Sequence, residues 1–377
     1  MHYLDYAATT PVSRAVADVV YDALTCSFGN PSAQYALGRD ASAALSHARN
    51  TVAAALGCEA GRLYFTSCGT ESDNWAIRAA LHQNRRVGRH IITTAVEHHA
   101  VSMTCRALMQ DGYEVTFLKP DKQGHIGADA VRAALREDTA LVSMMLVNNE
   151  LGTIYPVAEV AAMLRDLKHP ALLHTDAVQA FGKIPFTART LGADFIAISG
   201  HKIGAPKGIG ALYISPRVKN PCPLLHGGGQ EDGLRSGTEA TAQIAGFAKA
   251  VELHFADFEG KLSHIRELCA YARAQLSTID GLVFLCDDAA PHILAFSLTG
   301  YPSGNVVSDL DAKGICISAG SACHKGKPSD VVAALGLGKK VAAGVLRVSF
   351  GADSTRKDVD ALFEALREHR QTRFPML

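Results

Sequence analysis

Apolar residues recur along this chain in two patterns: short uninterrupted runs, and longer stretches in which every third or fourth position is apolar. The short β-branched runs predict buried strands, and the periodic stretches predict amphipathic helices. The strands predicted up to residue 215 are Leu63–Thr66, His90–Ala95, Glu114–Leu118, Leu141–Val147, Leu172–Thr175, Phe195–Ile198 and Gly210–Ser215. The helices predicted between and after them are Ala41–Leu56, Asp73–Gln83, Ala100–Gln110, Ala128–Leu135, Val157–Leu167 and Gly246–Phe258.

This alternation predicts an α/β fold, in which a mainly parallel seven-stranded sheet is covered by helices on both faces. From about residue 260 the order changes to helix, strand, helix, strand and helix, with strands at His292–Leu298 and Val345–Phe350 and a final helix at Arg356–His369. We therefore expect two domains. The large one spans residues 15–258, and a smaller α+β one combines residues 1–14 with residues 259–377.

Charge and length narrow the class of protein. The chain has 377 residues, with 37 basic side chains balanced by 37 acidic ones. Because neither sign forms a long run, we expect no nucleic-acid partner and no membrane surface as partner. We find no signal-peptide pattern and expect a cytoplasmic protein that acts on a small molecule. The nine cysteines never follow C-x-x-C spacing, so we predict neither a disulfide framework nor a metal site.

Lys202 is the first candidate for chemistry, because it follows the predicted buried strand Phe195–Ile198 within Ser199-Gly200-His201-Lys202. A lysine held in an apolar setting is a nucleophile for carbonyls and the usual anchor of pyridoxal phosphate. Taken alone, a lysine whose amine extends from a strand end to solvent is the simpler interpretation. The rest of the chain favours the chemical one.

Other polar groups also follow predicted strands. Gly69 and Thr70 begin a helix, where free backbone N–H groups could bind a phosphate, although an ordinary helix cap fits as well. His98 and His99 could be metal ligands, but no third ligand has suitable spacing, and an imidazole stacked on a cofactor ring fits better. Asn149 could hydrogen-bond a ligand oxygen or could simply occupy a surface turn.

Asp176 is stronger evidence for a pyridoxal phosphate site than these groups are. It directly follows an apolar strand and precedes Lys202 by roughly 26 residues. An enzyme that uses pyridoxal phosphate needs a carboxylate against the pyridine nitrogen, which keeps the ring electron-withdrawing. The competing interpretation, an aspartate that caps the next helix, is weaker because Asp176 and Lys202 end successive strands.

Twelve short motifs occur in order along the chain. They are Tyr3-Leu-Asp-Tyr-Ala-Ala-Thr-Thr-Pro11, Gly29-Asn-Pro-Ser32, Gly69-Thr-Glu-Ser72, Glu97-His98, Val147-Asn-Asn-Glu-Leu-Gly152, Asp176-Ala-Val-Gln179, Ser199-Gly-His-Lys202, Pro206-Lys-Gly-Ile-Gly210, Gly227-Gly-Gly-Gln230, Leu234-Arg-Ser-Gly-Thr238, Ser318-Ala-Gly-Ser-Ala-Cys323 and Leu346-Arg-Val-Ser-Phe-Gly351. Together they resemble the cysteine desulfurases of the NifS/IscS type, which are class V aminotransferase-like enzymes of pyridoxal phosphate fold type I. The motifs run from residue 3 to the last domain, so the resemblance covers nearly the whole chain.

The resemblance implies a role for each matching residue. Lys202 would form the Schiff base with pyridoxal phosphate and then act as the proton-transferring base, while His98 would stack on the ring and take part in acid–base steps. Asp176 would pair with the pyridine nitrogen and Gln179 with the phenolic oxygen. The phosphate would be held by Gly69, Thr70, Ser199 and His201, and by Thr238 from a neighbouring subunit, which implies a homodimer.

For the substrate, the resemblance implies that Asn149, Arg347 and Asn30 bind L-cysteine and that Cys323 attacks its sulfur. The products would be L-alanine and a persulfide on Cys323, delivered to a sulfur-acceptor protein of iron–sulfur cluster assembly or thiolation. The positive residues around Cys323 would favour its thiolate. The alternatives are a pyridoxal phosphate-dependent aminotransferase, a selenocysteine/cysteine lyase of the same fold, and a scaffold that has kept the fold without turnover.

Overall fold

The computed structural model describes residues 1–320 and 329–376. Over these residues the strands, numbered in chain order, are β1 His2–Tyr3, β2 Leu63–Thr66, β3 His90–Thr94, β4 Glu114–Leu118, β5 Thr139–Ser143, β6 Leu172–Asp176, β7 Phe195–Ser199, β8 Gly210–Ile214, β9 Leu282–Phe284, β10 Ile293–Leu298, β11 Ile315–Cys316, β12 Ser318–Ala319 and β13 Val345–Ser349.

The helices of the described residues alternate with these strands in the first half of the chain and cluster later. They are α1 Arg14–Thr25, α2 Ala36–Leu56, α3 Gly69–Gln83, α4 His99–Gln110, α5 Ala128–Ala134, α6 Val157–Asp166, α7 Ala188–Leu191, α8 Thr241–Phe255, α9 Phe258–Leu276, α10 Ser303–Asp311, α11 Asp330–Ala334, α12 Lys339–Ala343 and α13 Arg356–Thr372. Among them, none combines the length and the apolar character needed to cross a membrane.

The central sheet has seven strands in the order β2-β8-β7-β6-β5-β3-β4. All neighbours from β7 to β4 pair in parallel, whereas β8 runs antiparallel to both β2 and β7. The strand residues of β3, β5, β6 and β7 are buried throughout, as expected for strands covered on both faces. The predicted α/β class and the mainly parallel seven-stranded sheet are therefore confirmed.

A second, four-stranded sheet has the order β12-β13-β10-β9, and β1 pairs with β11 in parallel. Leu4 packs in the same apolar cluster as residues of α9, β10, α10 and α13, so the start of the chain lies against its last third. A larger apolar cluster and a further one surround the central sheet. The exact domain limits, 15–258 against 1–14 with 259–377, stay a prediction.

Several predicted limits are wrong by three or more residues. Helices α2, α3 and α8 begin earlier than expected, α13 ends later, and two elements end earlier. The strand expected over Leu141–Val147 ends at Ser143. Beyond it the N–H of Met145 donates to the Glu97 carboxyl group (2.9 Å), while the N–H groups of Met144 and Leu146 still donate to β6. The helix expected over Gly246–Phe258 ends at Phe255. A new helix then begins at Phe258, and the side chain of Asp257 caps it by accepting from the N–H of Gly260 (3.2 Å).

Candidate active site

A cavity of about 320 Å³ opens at the carboxyl ends of the parallel strands, where α/β sheets bind ligands. Strands β2, β3, β5, β6 and β7 contribute through the residue at their end or through the connection that follows them, whereas β4 and β8 contribute no lining residue. The lining side chains and backbone come from Ala7, Ala8, Cys68, Gly69, Thr70, Asp73, His98, Met145, Val147, Asn149, Asp176, Val178, Gln179, Ser199, His201, Lys202 and Arg347. The structure thus brings together ten of the residues that the sequence singled out.

Lys202 lies in a single helical turn directly after β7. Its Nζ donates to the carbonyl oxygens of Ala7 (2.6 Å) and Ala8 (2.8 Å). Burial and the nearby Arg347 lower the pKa of Lys202 to about 8, although Asp176 opposes this shift. A substantial fraction of the amine is therefore neutral, and nucleophilic, a little above physiological pH.

Asp176 ends β6 on the floor of this cavity and accepts from the N–H of Val178 (2.9 Å). Burial raises the pKa of Asp176, and His98, the N–H of Val178 and the charge of Lys202 each partly offset this increase. Burial also raises the pKa of the neighbouring Asp73, and there the charge of Asp176 adds to the effect. Asp176 therefore has neighbouring groups that oppose the effect of burial, whereas the acidic groups near Asp73 add to it.

Another part of the cavity, formed by Gly69, Ser199 and His201, is suited to bind an anion. Gly69 is the first residue of α3, and the preceding residue provides no side-chain cap for the helix. A Cβ at Gly69 would lie 2.7 Å from Cγ2 of Val178, so only glycine leaves this space open. Ser199 lies beside it, and burial followed by the charge of Lys202 lowers the pKa of His201 to about 4. A phosphate would therefore meet backbone N–H groups, hydroxyls and a neutral imidazole.

His98 closes one side of the cavity. Its Nδ1 accepts from the N–H of Ala100 (3.1 Å), which caps α4. A neutral His98 must then carry its proton on Nε2. Desolvation lowers the pKa of His98, and Lys202 adds to this effect. The ring is thus held neutral in one tautomer, with Nε2 available as a proton donor.

Arg347 reaches the cavity from β13. Its Nη1 donates to the carbonyl oxygen of Asn149 (2.6 Å), and its Nη2 donates to the carboxylate of Asp5 (2.7 Å) and to Oγ of Ser318 (2.9 Å). The Nε of Arg347 and the Oδ1 of Asn149 are buried without a hydrogen-bond partner among the described residues. An incoming carboxylate would therefore find an unsatisfied donor on Arg347.

Three residues singled out by the sequence are not among the lining residues. Thr238 is exposed, and Asn30 is also exposed, with its Oδ1 accepting from the N–H of Ser32 (2.9 Å). Cys323 lies outside the described residues. The individual roles of all these residues stay predictions.

The cavity and sheet match known proteins over almost the whole chain. The family model "Aminotransferase class-V" matches residues 2–362. Cysteine desulfurase IscS from Methanosarcina thermophila is 41% identical, with 97% of this chain and 91% of the relative covered. Putative cysteine desulfurase IscS 1 from Bacillus subtilis strain 168 is 38% identical, with 95% of each chain covered.

The chain belongs to the class V aminotransferase family, among its IscS-type cysteine desulfurases. Solved structures agree. A NifS-like protein superimposes with a TM-score of 0.91 at 33% identity and covers 97% of this chain and 98% of its own. A structure described as SspA in complex with cysteine has a TM-score of 0.81 at 33% identity, covering 94% of this chain and all of its own.

Sequence reasoning missed several residues that shape this desulfurase cavity. The carbonyl of Ala7 accepts from both Lys202 and Nε2 of Gln179 (2.8 Å), and Asp5 binds Arg347. Both lie in the motif Tyr3 to Pro11, to which the sequence assigns no role beyond the family resemblance. The local sequence does not indicate that Ala7 and Asp5 are partners of Gln179 and Arg347, because each contact joins residues more than 170 positions apart.

Proposed function

We propose that this cysteine desulfurase binds pyridoxal 5'-phosphate at Lys202, converts L-cysteine to L-alanine and transfers the sulfur to Cys323. The observation that carries the proposal is the meeting of Lys202, Asp176 and Arg347 in one cavity of about 320 Å³. An amine of lowered pKa, a buried carboxylate and an arginine fork are what an amino acid and a pyridine aldehyde together require.

The residues fit this cofactor. Oε1 of Gln179 and Oδ1 of Asn149 are buried without hydrogen-bond partners among the described residues, and such atoms indicate a missing ligand group. The glycine at position 69 leaves a space at a helix N-terminus that a side chain would fill. When bound, pyridoxal phosphate supplies an electron-withdrawing ring that stabilises negative charge at the α-carbon of the substrate.

Lys202 is the base for the α-proton. Its pKa of about 8 lies near the operating range, where proton transfer by a side chain is most effective. The carbonyl oxygens of Ala7 and Ala8 accept its hydrogen bonds and keep the amine directed toward the cavity. His98, with its proton on Nε2, is the second group able to hold or donate a proton at this site.

The substrate carboxylate is bound by Arg347 and Asn149. A planar guanidinium matches a carboxylate with two parallel hydrogen bonds, which a lysine cannot copy. Because Asp5 already accepts from Nη2 of Arg347, a carboxylate from the substrate must compete with Asp5 or use the free Nε.

Cys323 is the sulfur acceptor within the chain. Its thiolate forms a sulfur–sulfur bond with the substrate sulfur while the carbon–sulfur bond breaks, and the electron pair left on carbon is protonated to give alanine. The described residues on either side support this role, because Ser318 pairs with Arg347 in the sheet and the N–H of Ser329 donates to the carbonyl oxygen of Gly320 (2.8 Å). The two ends of the segment that contains Cys323 therefore meet near Arg347.

A homodimer is part of the proposal. Large apolar side chains are exposed between residues 21 and 37, namely Tyr21, Leu24, Phe28, Tyr35 and Leu37. Such a concentration on one short stretch is typical of a surface covered by another protein. The exposed Thr238 would then reach the phosphate of a second copy. We further propose cytoplasmic delivery of the persulfide sulfur to an acceptor protein of iron–sulfur cluster assembly or thiolation.

The test supplies the cofactor-loaded protein with L-cysteine and a thiol, and nothing else. We expect alanine and sulfide in equal amounts, with loss of both products in Cys323→Ala. A requirement for a keto acid, with Cys323 dispensable, would instead indicate an aminotransferase. Turnover of L-cysteine by Cys323→Ala at the wild-type rate would indicate a lyase that releases sulfide directly, and the absence of any product would indicate a scaffold.

A further inference from the structure

Three side chains of different chemistry converge away from the active-site cavity. His125, Cys286 and Asp288 each direct one ligand-type atom to a common point, and these atoms all lie within 4.8 Å of one another. Nε2 of His125 is 2.7 Å from Oδ1 of Asp288, and Sγ of Cys286 is 3.5 Å from the same oxygen. His125 and Asp288 are 163 residues apart in the chain, so no sequence spacing could reveal the cluster.

The histidine is oriented as metal-binding histidines are. Its second ring nitrogen, Nδ1, lies 3.4 Å from a carboxylate oxygen of Asp121. The other oxygen of Asp121 accepts from the N–H groups of Gln123 and His125 (both 2.9 Å), which fixes the carboxylate in the turn. A carboxylate behind the imidazole is the usual partner that sets the tautomer and ring direction of a metal ligand.

The cysteine is also held in position from behind. Cys286 is 2% exposed, and its sulfur accepts from Oγ1 of Thr153 (3.5 Å). Its carbonyl oxygen accepts from Nη2 of Arg273 (2.7 Å). The side chain of Asp288, in contrast, is 73% exposed and free to adjust. Two ligands are thus fixed and the third is adjustable, with solvent on the side of Asp288.

The sulfur–oxygen distance suits a tetrahedral ion, and the ligand atoms of His125 and Cys286 lie within 4.8 Å of each other. Zinc bonds of about 2.0 Å to nitrogen and oxygen and about 2.3 Å to sulfur require ligand atoms roughly 3.3–3.8 Å apart. The distance from sulfur to Asp288 already has this value, and the distance from His125 to Asp288 needs to lengthen by about 0.6 Å or more. A small rotation of the exposed Asp288 side chain provides that change.

We propose that His125, Cys286 and Asp288 form a zinc site that joins the connection between β4 and α5 to the connection between β9 and β10. The set of one nitrogen, one sulfur and one oxygen is that of zinc rather than of magnesium or calcium, which prefer oxygen ligands. Binding releases the proton of the Cys286 thiol to solvent, and the thiolate and the carboxylate together neutralise Zn²⁺. Water takes the fourth position on the exposed side.

The site adjoins the loop that carries Asn149. Besides the contact from Thr153 to Cys286, the N–H of Ala290 donates to the carbonyl oxygen of Gly152 (2.8 Å). Gly124, at a positive φ of 90°, approaches so closely that a Cβ there would lie 2.8 Å from Oγ1 of Thr153. Zinc would therefore fix the outer side of a loop whose inner side faces Arg347 through Asn149.

The test is a zinc titration of the cofactor-loaded protein, measured by isothermal calorimetry. The protein carries Cys323→Ser, which removes the thiol that we propose reacts with the substrate. Cobalt titration provides a second readout, since thiolate bound to Co²⁺ absorbs in the near ultraviolet. We expect one ion per chain, no competition from excess Mg²⁺, and loss of the cobalt signal in Cys286→Ser. Asp121→Asn keeps all three ligands and should weaken zinc about 10- to 100-fold.

Cys269→Ser is the matched control, because this cysteine of α9 lies outside the cluster and should leave zinc binding unchanged. If Cys286→Ser fails to fold, His125→Ala provides the same comparison at a partly exposed position. The proposal is overturned if zinc shows no saturable binding, or if it binds equally well to the control and to the ligand variants. Neither result depends on desulfurase activity.

Discussion

Two cavities meet at Lys202 and differ in almost everything else. The active-site cavity contains Asp176, Gln179 and Arg347, whereas a neighbouring cavity of about 220 Å³ is lined by apolar residues together with Lys183, Lys261 and His254. Lys202 contributes to both linings. The first cavity therefore presents both signs of charge around the amine. The titratable groups of the second are mostly basic, with Asp353 as its acidic lining residue.

Lys183 of the second cavity can be compared directly with Lys202. Burial lowers its pKa to about 8, as it does for Lys202, and the charge of Lys202 adds to the effect. Its ammonium group has no hydrogen-bond or ion-pair partner within residues 1–320 and 329–376, whereas Lys202 donates to two carbonyl oxygens. A lowered pKa therefore does not by itself distinguish the two lysines, whereas the groups that face each amine differ.

The largest difference should appear on removing each lysine in turn. We expect Lys202→Ala to lose alanine formation by roughly 10³-fold or more, the scale on which removal of a covalent catalyst acts. Lys183→Met should stay within about threefold of wild type, because Lys183 does not line the active-site cavity. Alanine assays measure both. Borohydride trapping followed by peptide mapping checks the assignment, and a label on Lys183 would reverse it.

A smaller loss should follow from Arg347→Lys, which keeps the charge and removes the fork. Charge-assisted hydrogen bonds contribute about 1.5–3 kcal/mol, so kcat/KM for L-cysteine should fall roughly 10- to 100-fold, mainly through KM. Arg136→Lys makes the same chemical change at an exposed arginine and should have no effect. Equal kinetics for the two variants would mean that Arg347 does not bind the carboxylate.

The pH dependence tests the electrostatics of the active-site cavity. Only the neutral amine of Lys202 attacks an aldehyde, so capture of pyridoxal phosphate by cofactor-free protein should accelerate as pH rises through about 8. Because the charge of Arg347 lowers the pKa of Lys202, Arg347→Gln should move the midpoint to higher pH and Arg347→Lys should leave it in place. Stopped-flow absorbance gives the rates. A midpoint that is the same in all three proteins contradicts this account.

Lys183→Met should change turnover little but should increase the free energy of unfolding. The folded pKa of about 8 lies below the unfolded value of 10.5, a difference of roughly 3 kcal/mol. The penalty is fully present below pH 8 and disappears as pH rises toward 10.5, so wild-type stability should increase over that window. At pH 7 the variant should be more stable than wild type by about 1–3 kcal/mol. Its stability should rise less steeply between pH 8 and 10.5, with the remaining rise due to Lys202. Urea unfolding of cofactor-free protein measures this, and a destabilised variant would contradict it.

The fold was predictable where the apolar pattern is local. Strands β2 and β4 and the starts of α5 and α6 were predicted at their observed residues, because buried strands and periodic helices leave a strong pattern. The pattern did not predict where β5 ends or how α8 and α9 are divided. At both points a single side chain, that of Glu97 or Asp257, accepts a hydrogen bond from a backbone N–H.

The candidate site was predictable only in part for a similar reason. Asp176 and Lys202 follow strands, so the rule that strand ends meet brings them together. Arg347 and Asp5 come from distant parts of the chain, and only the resemblance pointed to Arg347. The sequence indicates Glu97 only as the neighbour of His98. In the structure its buried carboxyl group, with a pKa raised to about 8 by burial, accepts from the hydroxyl of Thr94 and the N–H of Met145. No periodicity encodes such a contact.

The contacts of the first eight residues set the order in which this enzyme can mature during synthesis. β1 pairs with Ile315 and Cys316, Asp5 binds Arg347, and the carbonyls of residues 7 and 8 hold Lys202. A growing chain emerges from its first residue and tends to fold domain by domain. Residues 2–8 must therefore wait for residues 315–347, which are synthesised much later, before they can close the site. A partly made chain can contain the central sheet and Lys202 while it still lacks Arg347, the residue that we propose binds the substrate carboxylate.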